Sequence, residues 1–156
     1  MSITFHLLQN NDFGLDQIRK LNELYAEAFE EEEMYRGNKP SDLYLKKLLS
    51  KEGIIVCTAT SGEQVVGGLT AYTMDKLEEE TLEMYVYDLA VDARFRRRKI
   101  ATRLLELLLE EAKRLDASAV FIQAEQDDAP AVALYESMGE RETAYHYDIY
   151  LKKKEK

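Results

Sequence analysis

The chain has 156 residues, 46% of them apolar and 33% charged, with a formal net charge of −9. That length fits one domain of about 100–200 residues, and 10 Tyr with 5 Phe supply enough buriable surface to exclude a disordered chain. The acid excess argues against an extended nucleic-acid footprint, and no run of about 18 apolar residues is available to span a membrane. Cys57 is the single cysteine, so no internal disulfide can form and a reducing cytoplasm is the expected compartment. The first residues, MSITFHLLQNND, lack the basic start and long apolar core of an export signal.

Residues 3–9, ITFHLLQ, predict an opening strand. A helix follows over about 16–31, where Ile18, Leu21, Leu24, Tyr25 and Ala28 recur at steps of three and four. It ends in EEEEMYRGNKP, whose Gly37 and Pro40 break the period. Ser41 reads as the N-cap of a second helix carrying Leu45, Leu48 and Leu49 on one face and closed by Gly53. Three strands are predicted in IIVCTAT, QVVGGLTAYTM and LEMYVYDLAV, the first two joined by a tight SGEQ turn and the third reached through the polar DKLEEE link.

Ile100, Leu104, Leu108, Ala112 and Leu115 mark an amphipathic helix, and AVFIQAE is a nearly continuous apolar run of the kind a buried parallel strand shows. Asp127 and Asp128 are candidate caps of a last helix, with Pro130 in its first turn, Ala131, Leu134, Tyr135 and Met138 on one side, and Gly139 as the stop. TAYHYDIYL is expected to close the fold as a strand. The order β-α-α-β-β-β-α-β-α-β predicts a mixed α/β domain over residues 1–156, without repeats or linkers and with residues 152–156 as a solvated, disordered tail.

Chemistry concentrates in RFRRRKIATR, residues 94–103, where six of ten side chains are basic and none is acidic. A strand, a basic loop and a helix in that order make an anion site, because the first-turn N–H groups point outward with the positive end of the helix dipole behind them. Arginines there favour phosphate or pyrophosphate. A solvated basic loop, or one that touches nucleic acid, is the alternative. With those cations set aside the rest of the chain is more acidic still, which fits a compact phosphorylated cofactor better than a nucleic-acid backbone.

DLAV on a strand, RRRKIAT opening a helix and PAVALYESMG later in the chain resemble the acetyl-CoA binding motifs of the GCN5-related N-acetyltransferase (GNAT) superfamily. With AFEEEEMY, DLYLKKLL, VVGGLTAY, YVYDLAV, RRRKIATRL, IQAE, PAVALY and HYDI in order, most of the chain is similar to the small aminoglycoside N-acetyltransferases that modify the 3-amino group. The resemblance implies the acyl-CoA N-acyltransferase fold, a mostly antiparallel sheet flanked by helices and splayed between the fourth and fifth strands. It implies acetyl-CoA as cosubstrate, held by the main chain of Leu89, Ala90 and Val91 and by Arg96, Arg97, Arg98, Lys99, Ile100, Ala101 and Thr102. Lys99 stands where the superfamily's loop usually has glycine, either keeping an ordinary helical torsion and adding a charge or narrowing the loop. A homodimer is common among similar proteins.

Acetyl transfer to an amine needs a neutral nitrogen, a close carbonyl, a donor for the oxyanion and a proton for the thiolate. Cys57, inside IIVCTAT, reads as a buried small residue rather than a nucleophile, and His6 and His146, the only histidines, have no metal-ligand spacing, so no metal is expected. Direct amine attack is the economical route. Asp88 is read as the base or amine-orienting group, set by strand alternation beside Met84, Val86 and Ala90. A hydrogen-bonded structural aspartate is the alternative, with Glu83 or a water held by the tyrosines as rival routes.

The resemblance implies that Tyr135, the tyrosine of ALY, protonates the departing thiolate; a plain packing residue is the alternative. It also singles out Glu32, Glu33, Tyr35, Asp128 and Asp148 on the acceptor side, where acids would attract a cationic small-molecule amine. Ala129 replaces an aspartate frequent in the aminoglycoside enzymes. The expected function is acetylation of an aminoglycoside 3-amine, with a polyamine or other small-amine acetyltransferase and a non-catalytic acetyl-CoA sensor as alternatives.

Overall fold

The computed structural model describes residues 2–30 and 39–152, and these fall into two compact units that divide between Gln123 and Ala124. The first contains β1 (Thr4–Leu7), α1 (Asp12–Phe29), α2 (Asp42–Ser50), β2 (Ile54–Ser61), β3 (Gln64–Asp75), β4 (Leu82–Val91), α3 (Ile100–Arg114) and β5 (Ala119–Ile122). The strands lie in the order β1-β2-β3-β4-β5. Neighbours are antiparallel except β4 and β5, which run parallel, as the apolar AVFI run predicts.

Helix α1 starts at Asp12, four residues before the expected start at about residue 16. Asn11 caps it by accepting the Gly14 N–H at 2.8 Å, and polar capping residues carry no hydrophobic period to announce them. Its stripe of Ile18, Leu21, Leu24 and Tyr25 is buried, and Glu30 ends it with a left-handed φ of 54°. Ser41 caps α2 as expected, accepting the Tyr44 N–H at 3.2 Å. Between β2 and β3, Ser61 pairs with Gln64, leaving a two-residue turn in which Gly62 takes φ +60°.

Two adjacent glycines show how the layers are arranged. A Cβ on Gly67 would meet Ile100 and Leu104 of α3, whereas one on Gly68 would run into Leu21 of α1. The helices therefore cover opposite faces of β3, and each closes onto the sheet where a side chain is missing. On the α1 face, buried Thr58 donates to Gln17 at 2.7 Å, and Tyr25 bonds Thr70 at 3.0 Å.

In the second unit, α4 (Ala129–Glu136) is capped by Asp128, which accepts the Ala131 N–H at 3.2 Å, with Pro130 in its first turn. The Gly139 N–H closes on the Tyr135 carbonyl at 2.9 Å. The strand expected in TAYHYDIYL is not formed: residues 141–150 have no regular structure. Alternation alone does not make a strand, which needs a laddered neighbour. Here local side-chain bonds appear instead, His146 to Asp148 at 2.9 Å and Tyr150 donating to Asp148 at 3.3 Å. Among the described residues no helix is long and apolar enough to cross a membrane.

Gly68→Ala should destabilise the protein by about 1–3 kcal/mol, because the new methyl would lie 2.9 Å from the Cys57 carbonyl and closer still to Leu21. Urea unfolding checks this as a lower midpoint at an unchanged slope.

Candidate active site

Strand β4 carries the predicted base, and its register is broken there. Ala71 of β3 pairs with Val86, but the preceding Thr70 pairs with Asp88, so Tyr87 is an extra residue. Such a bulge re-aims the side chains that follow it. Paired residues share a face, so Val86 stays with Ala71 on the α3 side, while Asp88 joins Thr70 on the α1 side. Asp88 is thus not aligned with Met84 and Val86 as simple alternation implied, although it does share its face with Ala90, which pairs with Gly68.

Around half-buried Asp88 lie tyrosines that sequence reading had not assigned by position. Tyr72 and Tyr87 meet edge to face at 84° with ring centroids 6.0 Å apart, and Tyr85 lies 6.1 Å from Tyr87. Tyr85 donates to Gln123 at 2.9 Å. Burial first, then the Asp88 charge, push the Tyr72 phenol up; burial, then Tyr87 and Asp88, do so for Tyr85. The alternation of Tyr85 and Tyr87 was visible in YVYD, but only the bulge brings Asp88 to their side. The rival base Glu83 is held by Lys76 at 3.3 Å, and that ammonium also gathers Glu78 and Glu79.

The β4–β5 pairing stops at Val86 and Ile122. Among the described residues Leu89, Ala90 and Val91 are therefore laddered to β3 alone, leaving one backbone edge open there, which is the expected splay. Beyond them, Asp92 caps a short 3-10 turn, Ala93–Phe95, and binds Arg94 at 3.0 Å. Its hydrogen bond with Arg94 holds the Asp92 carboxyl below the usual range, so Arg94 is engaged locally.

Arg96, Arg97, Arg98 and Lys99 are exposed. Arg98 stacks over Phe95 at 5.0 Å; among the described residues Arg96, Arg97 and Lys99 form no ion pair. Lys99 does not keep a helical torsion: it takes φ 58°, and Arg97 takes φ 61°. The loop thus has the backbone shape that glycine would adopt freely, at a cost of about 1–2 kcal/mol for each left-handed non-glycine residue. Lys99 offers no side-chain cap to α3, whose first bond runs from the Arg103 N–H to the Lys99 carbonyl. The Ile100, Ala101 and Thr102 amides are consequently directed outward, with Ile100 anchoring the turn in the core. This combination of amides and cations fits a diphosphate.

In the second unit Asp128 is occupied as a cap and Asp148 binds His146. Tyr135 is half-buried, and burial, then Asp128, push its phenol up to about 12. Burial likewise pushes Cys57 up to about 12, leaving a protonated, enclosed thiol as expected. Glu32, Glu33 and Tyr35 lie outside the described residues.

Residues 16–139 match the acetyltransferase (GNAT) family, and the chain belongs to that family. Its fold is similar to that of aminoglycoside acetyltransferase HMB0005 from an uncultured soil metagenomic sample, with TM-score 0.91, 40% identity, and coverage of 97% of this chain and 100% of the other. Aminoglycoside acetyltransferase meta-AAC0020, from an uncultured soil metagenomic sample and in complex with sisomicin, is similar at TM-score 0.87 and 28% identity over 96% and 97% of the two chains. The [ribosomal protein bS18]-alanine N-acetyltransferase of Salmonella typhimurium is 34% identical over 80 residues, 51% of this chain and 51% of that enzyme. The match thus spans about half the length of that curated relative.

Lys99→Gly should raise stability by up to about 1 kcal/mol by removing a strained torsion. A higher Tm would register it; a lower one would show that Lys99 makes a stabilising contact.

Proposed function

We propose that the protein is an acetyl-CoA-dependent N-acetyltransferase acting on a cationic small-molecule amine, with the 3-amino group of an aminoglycoside as acceptor. The observation that supports an aminoglycoside acceptor is the 40% identity, over nearly the whole chain, to an aminoglycoside acetyltransferase; the choice of its 3-amino group rests on the resemblance of the sequence motifs alone. The family match crosses the boundary between the two compact units, which supports treating residues 1–156 as one acetyltransferase domain.

Roles follow from the residues. Amides 100–102 and the side chains of Arg96, Arg97, Arg98 and Lys99 hold the diphosphate of coenzyme A, which supplies an activated acetyl thioester. The open backbone edge at Leu89–Val91 binds the thioester arm and stabilises the oxyanion. Asp88 takes a proton from the acceptor ammonium, freeing the lone pair. As the C–N bond forms and the C–S bond breaks, Tyr135 gives its phenolic proton to the departing thiolate, and the second proton, shed by the acylated nitrogen as it becomes a neutral amide, restores the phenol through solvent. A phenol held neutral to about 12 is fully protonated at working pH, as an acid must be. Glu32, Glu33, Tyr35, Asp128 and Asp148 remain the proposed acceptor-side contacts. Acids there favour the ammonium form, which makes proton removal by a nearby base necessary.

The bS18-alanine enzyme gives a second reading, acetylation of a protein N-terminus. Thiol release from acetyl-CoA, with sisomicin, kanamycin, spermidine and an alanine-leading peptide offered in parallel, separates them. Preferred turnover of the aminoglycosides is expected. Preference for the peptide would move the function to protein N-termini, and coenzyme A uptake without any turnover would indicate a sensor.

Asp88→Asn should lower kcat about 10²–10⁴-fold while coenzyme A affinity changes less than twofold. Tyr135→Phe should lower kcat about 10–100-fold, and wild-type kcat should show no loss near pH 10, where an ordinary phenol ionises. Unchanged turnover in Tyr135→Phe would reduce Tyr135 to packing.

A further inference from the structure

The three tyrosines beside Asp88 have no part in the chemistry assigned so far. Tyr72 and Tyr87 are large aromatic side chains left 41% and 65% exposed on the same face as a carboxylate. Exposure alone does not distinguish them, since Tyr44, Tyr145, Tyr147 and Tyr150 are also exposed; what does is that their rings meet one another beside a carboxylate. The extra residue of the bulge sets Tyr87 and Asp88 side by side. The 84° meeting of Tyr72 and Tyr87 forms an aromatic corner, and Tyr85 extends it. Ring faces carry negative charge density and attract cations, most strongly where water is thinned. Elevated phenol values for Tyr72 and Tyr85 keep these rings neutral.

We propose that Tyr72, Tyr85 and Tyr87 form an aromatic cradle that holds the reacting ammonium group of the acceptor against Asp88. The inference rests on the acetyltransferase reading and specifies how its acceptor site recognises one nitrogen. It selects a cationic amine over a neutral group of equal size. Acidic side chains elsewhere would attract a polycation without distinguishing its nitrogens, so the cradle supplies positioning that charge alone does not.

The test uses the full chain and does not depend on turnover. Tyrosine-ring NMR signals are followed during titration with n-butylammonium chloride and, separately, with 1-butanol. The ammonium should shift the Tyr72, Tyr85 and Tyr87 signals selectively, and the alcohol should not. Tyr87→Leu, which keeps an apolar side chain at an exposed position, should weaken ammonium binding about fivefold, and Tyr87→Phe should recover most of that loss. Tyr72→Leu and Tyr72→Phe provide a second pair at an independent position. In turnover assays the leucine variants should raise KM for the amine while leaving KM for acetyl-CoA within twofold. Equal response to the alcohol, unchanged affinity in both leucine variants, or equal losses in the leucine and phenylalanine variants would overturn the cradle. Failure of aminoglycoside turnover alongside selective ammonium binding would overturn the acceptor identity and leave the cradle supported.

Discussion

One inserted residue governs the candidate site. Without Tyr87 as an extra position, Asp88 would continue the face of Met84 and Val86 and point toward α3. The shifted pairing, Val86 opposite Ala71 but Asp88 opposite Thr70, turns the carboxylate to the α1 side and among the tyrosines. Sheet position and chemistry are therefore coupled: the face given to Asp88 is fixed by ladder hydrogen bonds, which are far harder to rearrange than a rotamer. The same strand loses its parallel neighbour after Val86, so the turned carboxylate and the open backbone edge occupy one short stretch.

A second constraint is conformational. The loop before α3 takes two left-handed torsions at Arg97 and Lys99, where glycine would cost less. Strain of this kind persists only when surrounding structure fixes it. Here Ile100 is anchored in the core and Asp92 holds the preceding turn through Arg94. The outcome is an uncapped helix start with three outward amides and exposed cations beside the open edge of β4. Lysine in place of glycine keeps the backbone shape and adds a charge at the position where a phosphate would approach.

Much of the fold was legible because hydrophobic period and turn chemistry agree. Ser41, Gly62 and Pro130 stand where a cap, a tight turn and a helix start require them, and Ile100 through Ala112 repeats at helical spacing. The Asn11 cap lies outside any apolar period, so α1 begins earlier than its stripe suggests. The alternation of Tyr145, Tyr147 and Ile149 suggested a strand, but strand formation depends on a partner that local sequence does not encode. The candidate functional residues divide in the same way. The basic loop could be read from its charge and its place between strand and helix. The face of Asp88 could not, because a bulge is a relation between two strands, and neither one announces it alone.

Whether the bulge turns Asp88 toward the proposed acceptor can be read by NMR of protein labelled at aspartate carboxyl carbons and at methionine and valine methyls. Sisomicin is titrated in with coenzyme A present. The Asp88 carboxyl signal should shift, with the Met84 and Val86 methyl signals unmoved. Sisomicin binding that moves those methyls and leaves the Asp88 carboxyl unchanged would contradict this orientation of Asp88.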